Sequence, residues 1–156
     1  EEATFENIYS DAFDSDFCTG VVSNSLFRNV GNDAIDFSGS QIRIVNTDIT
    51  EAGDKGISGG EDSYLTVENT HIARSNIGLA SKDLSTVIVS NSTVNDCNYG
   101  ILLLQKKPEY GPARMILNNT PITNAKTKQL IEKGSEVLLE GKLVKGDRNN
   151  LTEIFY

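Results

Sequence analysis

Hydrophobic and polar positions alternate over short segments throughout the chain, and no long stretch shows the 3.6-residue periodicity of an amphipathic helix. Ile42 and Ile44 alternate with polar neighbours, and Val87 and Val89 belong to a similar short β-branched run. Runs of this kind, separated by Asn, Gly and Ser, are typical of short strands joined by tight turns. The pattern therefore predicts an all-β domain with many strands.

One asparagine context recurs five times along the chain. Each asparagine is followed by Ser or Thr and, two residues further on, by an apolar residue, at spacings of 22, 23, 22 and 28 for Asn24, Asn46, Asn69, Asn91 and Asn119. A second column keeps a constant spacing of 22 and always precedes an apolar residue: Ala12, Ala34, Gly56, Gly78 and Gly100. Two columns that stay in step identify an internal repeat.

A repeat near 22 residues predicts a single right-handed parallel β-helix, a solenoid in which each coil contributes three short strands. Each coil buries one apolar row and completes the core of its neighbours, and asparagine suits the turns because it tolerates the left-handed backbone conformation. The signature of a leucine-rich repeat is missing, so an antiparallel sandwich is the remaining alternative. The predicted coils are residues 2–23, 24–45, 46–68, 69–90, 91–118 and 119–140, with a C-terminal cap at 141–156.

The two columns resemble those of the pectate-lyase-like superfamily of right-handed β-helices, over nearly the whole chain. The resemblance implies an asparagine ladder between the second and third sheets, and it puts segments such as residues 57–59 on the first sheet. A narrower resemblance, carried by residues 10–14, 31–36 and 53–58, is to uncharacterised bacterial β-helix proteins. That group implies no activity.

Two segments depart from the repeat. Residues 105–112 are an insertion that accounts for the long spacing and projects from the corner between the first and second sheets. We expect residues 147–156 to pack over the final coil, with Leu151, Ile154 and Phe155 facing the core.

Glu2 falls on the asparagine column, which indicates either a fragment of a longer helix or an N-terminal end covered by a preceding domain or a second copy.

The formal net charge of −8 disfavours nucleic acid and anionic membranes as partners. No apolar run approaches the roughly 18 residues that a membrane span needs. From the resemblance we expect an extracellular or cell-surface protein whose partner is a polysaccharide.

Strand alternation sends a polar set of side chains outward from the first sheet. One outward column reads Asp14, Asp36, Ser58, Ala80, Leu102, and the next reads Asp16, Ser38, Gly60, Lys82, Leu104. We call these two columns the first-sheet strip. Asp14 and Asp36 are expected about 4.8 Å apart, one strand spacing. Carboxylates that close together bind a cation, share a proton or pair with a base.

The strip suggests three interpretations. Asp14, Asp16 and Asp36 are candidate calcium ligands, because calcium prefers oxygen-rich clusters. The resemblance to β-helix lyases implies a basic side chain beside a uronate, with Lys82 as the candidate base and Asp14 and Asp36 as further catalytic candidates. The rim residues predicted to contact the substrate are Lys55, Glu61, Asp83, Lys106, Lys107 and Tyr110. A solvated acidic face without a ligand is the third interpretation.

The interpretations differ on whether the chain is an enzyme. One hypothesis is a lyase or hydrolase that acts on an acidic polysaccharide with bound calcium. The other is a non-catalytic module that binds carbohydrate, serves as a spacer or associates with itself.

Overall fold

The computed structural model describes all 156 residues, in nineteen strands and one short helix. The strands are β1 (Thr4–Ile8), β2 (Phe13–Asp16), β3 (Thr19–Ser23), β4 (Leu26–Val30), β5 (Ile35–Ser38), β6 (Gln41–Val45), β7 (Asp48–Ala52), β8 (Lys55–Gly60), β9 (Tyr64–Glu68), β10 (His71–Ala73), β11 (Ile77–Lys82), β12 (Thr86–Ser90), β13 (Thr93–Asn95), β14 (Tyr99–Leu104), β15 (Arg114–Asn118), β16 (Ile122–Thr123), β17 (Thr127–Ile131), β18 (Glu136–Leu139) and β19 (Lys142–Lys145). The helix α1 is Leu151–Phe155.

The strands form three sheets in which each strand pairs with its counterpart one coil away. The first sheet runs β2-β5-β8-β11-β14-β17, the second β3-β6-β9-β12-β15-β18-β19 and the third β1-β4-β7-β10-β13-β16. Every pairing is parallel except that of β19, which returns antiparallel along β18. The predicted right-handed parallel β-helix of about six coils is thereby confirmed, and the antiparallel sandwich is excluded.

The chain turns at corners where the backbone adopts positive φ. The predicted asparagine column lies between the second and third sheets, with φ between 46° and 51° at Asn24, Asn46, Asn69, Asn91 and Asn119. Side-chain amides connect neighbouring coils there, as from Asn46 Nδ2 to Asn24 Oδ1 at 3.2 Å. Two further columns of positive φ occupy the other corners: Asn7, Asn29, Glu51, Arg74, Asp96 and Asn124 in one, and Phe17, Gly39, Glu61 and Asp83 in the other.

Buried serines form hydrogen bonds between neighbouring coils beside the corner between the first and second sheets. Ser40 Oγ accepts the backbone N–H of Cys18 at 3.0 Å and donates to the Ser38 carbonyl at 2.8 Å. Ser63 Oγ accepts the N–H of Ser40, and Ser85 Oγ accepts that of Ser63, each at 3.0 Å. These bonds satisfy backbone groups that would otherwise be buried without a partner.

The interior of the solenoid is a continuous column of apolar side chains. Twenty-six buried residues form one cluster, which includes Phe27, Ile35, Ile57, Leu79 and Ile101. Ile35, Ile57, Leu79 and Ile101 form the inward column of the first sheet. Their side chains point into the core, whereas those of the first-sheet strip point outward. The core therefore fixes which side chains the first sheet presents outward.

The C-terminal segment packs differently from the expectation. Helix α1 lies on the outer face of the first sheet, where Leu151, only 2% exposed, joins Ile77, Ala80, Leu102 and Leu104. Ile154 is 65% exposed and faces away from any core. The physical reason is that the outward positions of the first sheet become apolar in its later coils, which offers Leu151 a surface to bury. No helix of this chain has the length and hydropathy of a membrane span.

Replacing Gly78 with Ala should lower the free energy of unfolding by about 2 kcal/mol. The new Cβ would lie 2.5 Å from Val94 Cγ1 and 2.7 Å from the Gly100 carbonyl oxygen, so the corner must shift to accept it. Urea denaturation followed by circular dichroism measures the change. Gly20→Ala is the control, because its Cβ would meet nothing within 4 Å. Equal effects at the two positions would contradict the tight packing of this column.

Candidate functional site

The strand register confirms the two outward columns of the first-sheet strip. Asp14 pairs with Asp36, Asp36 with Ser58, and Ser58 with Ala80. Asp14 and Asp16 in the first coil are exposed, whereas Ser58, Gly60, Ala80 and Lys82 further along are buried. The strip is therefore open and acidic at one end and covered at the other.

Lys82 reaches across two coils to Asp36. Its Nζ lies 3.6 Å from Asp36 Oδ1, and only 8% of its side chain is exposed. The path exists because Gly60 has no side chain: a Cβ there would lie 3.3 Å from Lys82 Cε. Asp36 Oδ1 and the neighbouring Ser58 Oγ are both buried without a hydrogen-bond partner. The candidate base and a candidate carboxylate thus form an ion pair beside an unsatisfied hydroxyl.

Lys55 is also held by carboxylates rather than projecting from a rim. Its Nζ lies 3.4 Å from Asp33 Oδ1 and forms a closer ion pair with Asp54, with both Lys55 and Asp33 4% exposed. Asp33 Oδ1 also accepts the backbone N–H of Lys55 at 2.9 Å. In the preceding coil Asp11 Oδ1 accepts the N–H of Asp33 at the same distance. These aspartates therefore form a coil-to-coil ladder along one side of the strip.

Burial controls the protonation of this pair. Desolvation raises the pKa of Asp33 to about 6, against the opposing effect of the Lys55 ammonium. Desolvation acts to lower the pKa of Lys55, but Asp33, Tyr156 and Asp54 together outweigh it, and that pKa is raised. Lys55 therefore keeps its charge near neutral pH while Asp33 titrates just below it.

The three candidate calcium ligands do not converge. Asp14 and Asp36 are neighbours, but Asp16 pairs with Ser38, and the cation beside Asp36 is the Lys82 ammonium. No group of three or more His, Cys, Asp or Glu side chains is placed to hold a metal ion. Burial, then Asp36, Asp16 and Asp11, raise the pKa of Asp14, which indicates a negative potential at this end. As arranged here, these residues do not supply the surrounding oxygen set that calcium takes, and calcium binding stays a prediction.

The residues predicted on the other rim organise the insertion. Asp83 is buried, and its Oδ1 accepts the backbone N–H groups of Lys106 and Lys107 at 2.6 and 2.7 Å. Lys107 forms an ion pair with Glu61. The carbonyl oxygen of Tyr110 accepts a hydrogen bond from Gln105 Nε2 at 2.8 Å. Asp83 thus anchors the loop, and Lys106 is the rim lysine without a carboxylate partner.

Tyr156 brings three of these lysines together. Its ring centroid lies 4.0 Å from Lys106 Nζ, 5.3 Å from Lys55 Nζ and 5.9 Å from Lys82 Nζ. Burial, followed by repulsion from Lys82 and Lys55, lowers the pKa of Lys106. We call Lys55, Lys82 and Lys106 the lysine cluster.

Sequence reasoning named all three lysines of the cluster but did not predict that Tyr156 contacts them. Tyr156 lies outside the repeat, so no column assigns it a place. The available signal was the apolar character of Leu102 and Leu104 at outward positions, because such residues on an outer face require a cover.

The three parallel sheets and the register between coils define this protein as a right-handed parallel β-solenoid. A family model described as the right handed beta helix region matches residues 1–147, and the chain belongs to this family. Comparison with curated proteins and with solved structures finds no significant match.

Asp33→Asn tests the protonation of the buried pair. Because the folded pKa of about 6 lies above the ordinary value of 3.8, Asp33 stabilises the fold below pH 3.8 and loses that contribution as pH rises through 6. Between pH 7 and pH 5 the wild type should therefore gain about 1 kcal/mol relative to the variant. Urea denaturation at the two pH values measures the difference. An equal pH dependence of both proteins would contradict the raised pKa.

Proposed function

We propose that this chain binds an acidic polysaccharide along the outer face of the first sheet, at the cell surface or outside the cell, without cleaving it. The supporting observation is the lysine cluster. Three ammonium groups lie within 6 Å of one ring centroid in a chain whose net charge is −8. Ammonium groups recognise carboxylates through short, charge-assisted hydrogen bonds.

The geometry favours binding over cleavage. A general base must come within hydrogen-bond reach of the proton that it removes. Lys82 instead faces Asp36 at 3.6 Å beneath the C-terminal segment, with little exposure. The exposed carboxylates of Asp14 and Asp16 lie in the first coil, one strand beyond Asp36, and would repel an anionic chain there. We therefore infer that the polysaccharide crosses the strip near Lys106 and the insertion.

Lys106→Ala should weaken binding of a polygalacturonate oligomer by about tenfold, the loss of roughly 1.4 kcal/mol that one charge-assisted bond supplies. Lys106 has no ion-pair partner, so the substitution leaves no carboxylate unpaired. Isothermal titration calorimetry measures the affinity, and higher salt should weaken it in the wild type. Lys142→Ala, at an exposed position of β19, is the matched control and should bind as the wild type does.

The same samples test the absence of cleavage. No unsaturated uronate should accumulate, as read by ultraviolet absorbance during incubation with polygalacturonate and with alginate. Accumulation that disappears in Lys82→Ala while the fold is retained would overturn the proposal and restore the lyase hypothesis.

A second candidate function is a structural or self-associating module. The first coil favours it, because Phe17 is 78% exposed, Val21 48% and Phe13 36%, beside strands that pair on one side only. A further coil or a second chain would bury these groups. If self-association is the function, the mass from light scattering should rise with protein concentration, and Phe17→Ser should abolish the rise.

A further inference from the structure

We propose that Tyr156 is a gate over the lysine cluster, whose ring occupies the place of an acidic sugar and moves outward when the sugar binds. This inference rests on the proposed function and adds its regulation. The ring is the group on which Lys55, Lys82 and Lys106 converge, although the three lysines come from β8, β11 and the insertion. A carboxylate that contacts all three ammonium groups would have to take the place of this ring.

The anchor of the C-terminal segment is separate from the ring. Leu151 is buried on the first sheet, and its N–H donates to Glu132 Oε1 at 3.2 Å. Thr152 Oγ1 donates to the Gln105 carbonyl at 3.1 Å, and Phe155 meets Tyr99 edge-on at 5.2 Å. These contacts hold α1 in place whatever the position of Tyr156.

Apart from its contacts with the three lysines, Tyr156 is held by a single hydrogen bond. Half of the residue is exposed, and its one hydrogen bond runs from the backbone N–H to the Thr152 carbonyl at 3.0 Å. The phenolic hydroxyl makes no hydrogen bond within the protein. Rotation of the side chain therefore opens the cluster without disturbing the helix, on the fast timescale of exposed rotamers.

The surface beneath the lysines is incomplete without a ligand. Ser58 is fully buried, and its hydroxyl has no hydrogen-bond partner. Asp36 Oδ1 beside it also accepts no hydrogen bond, although it faces Lys82 Nζ at 3.6 Å. Unsatisfied buried polar atoms are rare in folded proteins, because each one costs free energy. The hydroxyl groups of a sugar would supply partners to both atoms, which the Tyr156 ring does not.

The exchange of ring for ligand is energetically feasible. A cation–π contact contributes about 0.5–2 kcal/mol. Hydrogen bonds from ammonium to carboxylate are roughly twice as strong as neutral ones. A uronate carboxylate can therefore replace the neutral ring at Lys106, because Lys55 and Lys82 already pair with aspartates, whereas a neutral sugar gains no such advantage.

Tyr156→Ala tests the gate without a ligand. Acylation of Lys82, followed by mass spectrometry, should proceed at least about fivefold faster than in the wild type, because the closed state no longer protects it. Tyr156→Phe keeps the ring and should label as the wild type does. Ile154→Ala removes an exposed side chain of the same segment and serves as the matched control. Labelling of Lys142 provides the internal reference, and circular dichroism verifies folding. Unchanged labelling of Lys82 in Tyr156→Ala would overturn the gate.

Titration with trigalacturonate separates this inference from the function on which it rests. Tyr156→Ala should bind several-fold more tightly than the wild type, since no binding free energy is spent on opening. Weaker binding by Tyr156→Ala would show that the ring belongs to the binding surface and would refute the gate. If neither protein binds while labelling of Lys82 still rises, the gate stands and the polysaccharide function fails.

Discussion

The left-handed corner is the constraint on which the rest of this structure depends. A coil of about 22 residues must change direction three times, and it does so at residues with positive φ, many of them not glycine. That conformation costs about 1 kcal/mol or more for an L-residue. Hydrogen bonds between coils, from the backbone, the asparagine amides and the buried serines, offset the cost. Because the corners stack in columns, side chains on each sheet also stack, which brings Asp14 beside Asp36.

The fold was predictable because one of the three corners carries asparagine, a residue type that readily adopts positive φ. Asparagine marks the corner between the second and third sheets in five successive coils. The positive φ at the other two corners was not predicted from the sequence, since those positions include Phe17, Glu51 and Arg74, which have no preference for positive φ. Their conformation is imposed by the coils above and below, so only a stacked structure reveals it.

The candidate site was predictable in register but not in side-chain conformation. Alternation along the strands placed Asp36, Ser58 and Ala80 in one column, as the structure has them. The ion pair of Lys82 with Asp36 depends on the space above Gly60, and burial of Lys55 depends on Asp33 and Asp54. Such contacts follow from three-dimensional packing across coils. They change Lys82 from an exposed base into a buried partner of a carboxylate.

The insertion between β14 and β15 shows how this architecture accommodates variation. The asparagine spacing grows from 22 to 28 there, yet β15 still pairs with β12 in register, Thr86 opposite Arg114. Asp83 binds the first amides of the loop, so the added residues leave the rungs undisturbed. Equivalent corners recur in the earlier coils at intervals of about 4.8 Å. The solenoid therefore accepts added residues at this corner without loss of register, and loops of different sequence can be grafted in a row along one edge.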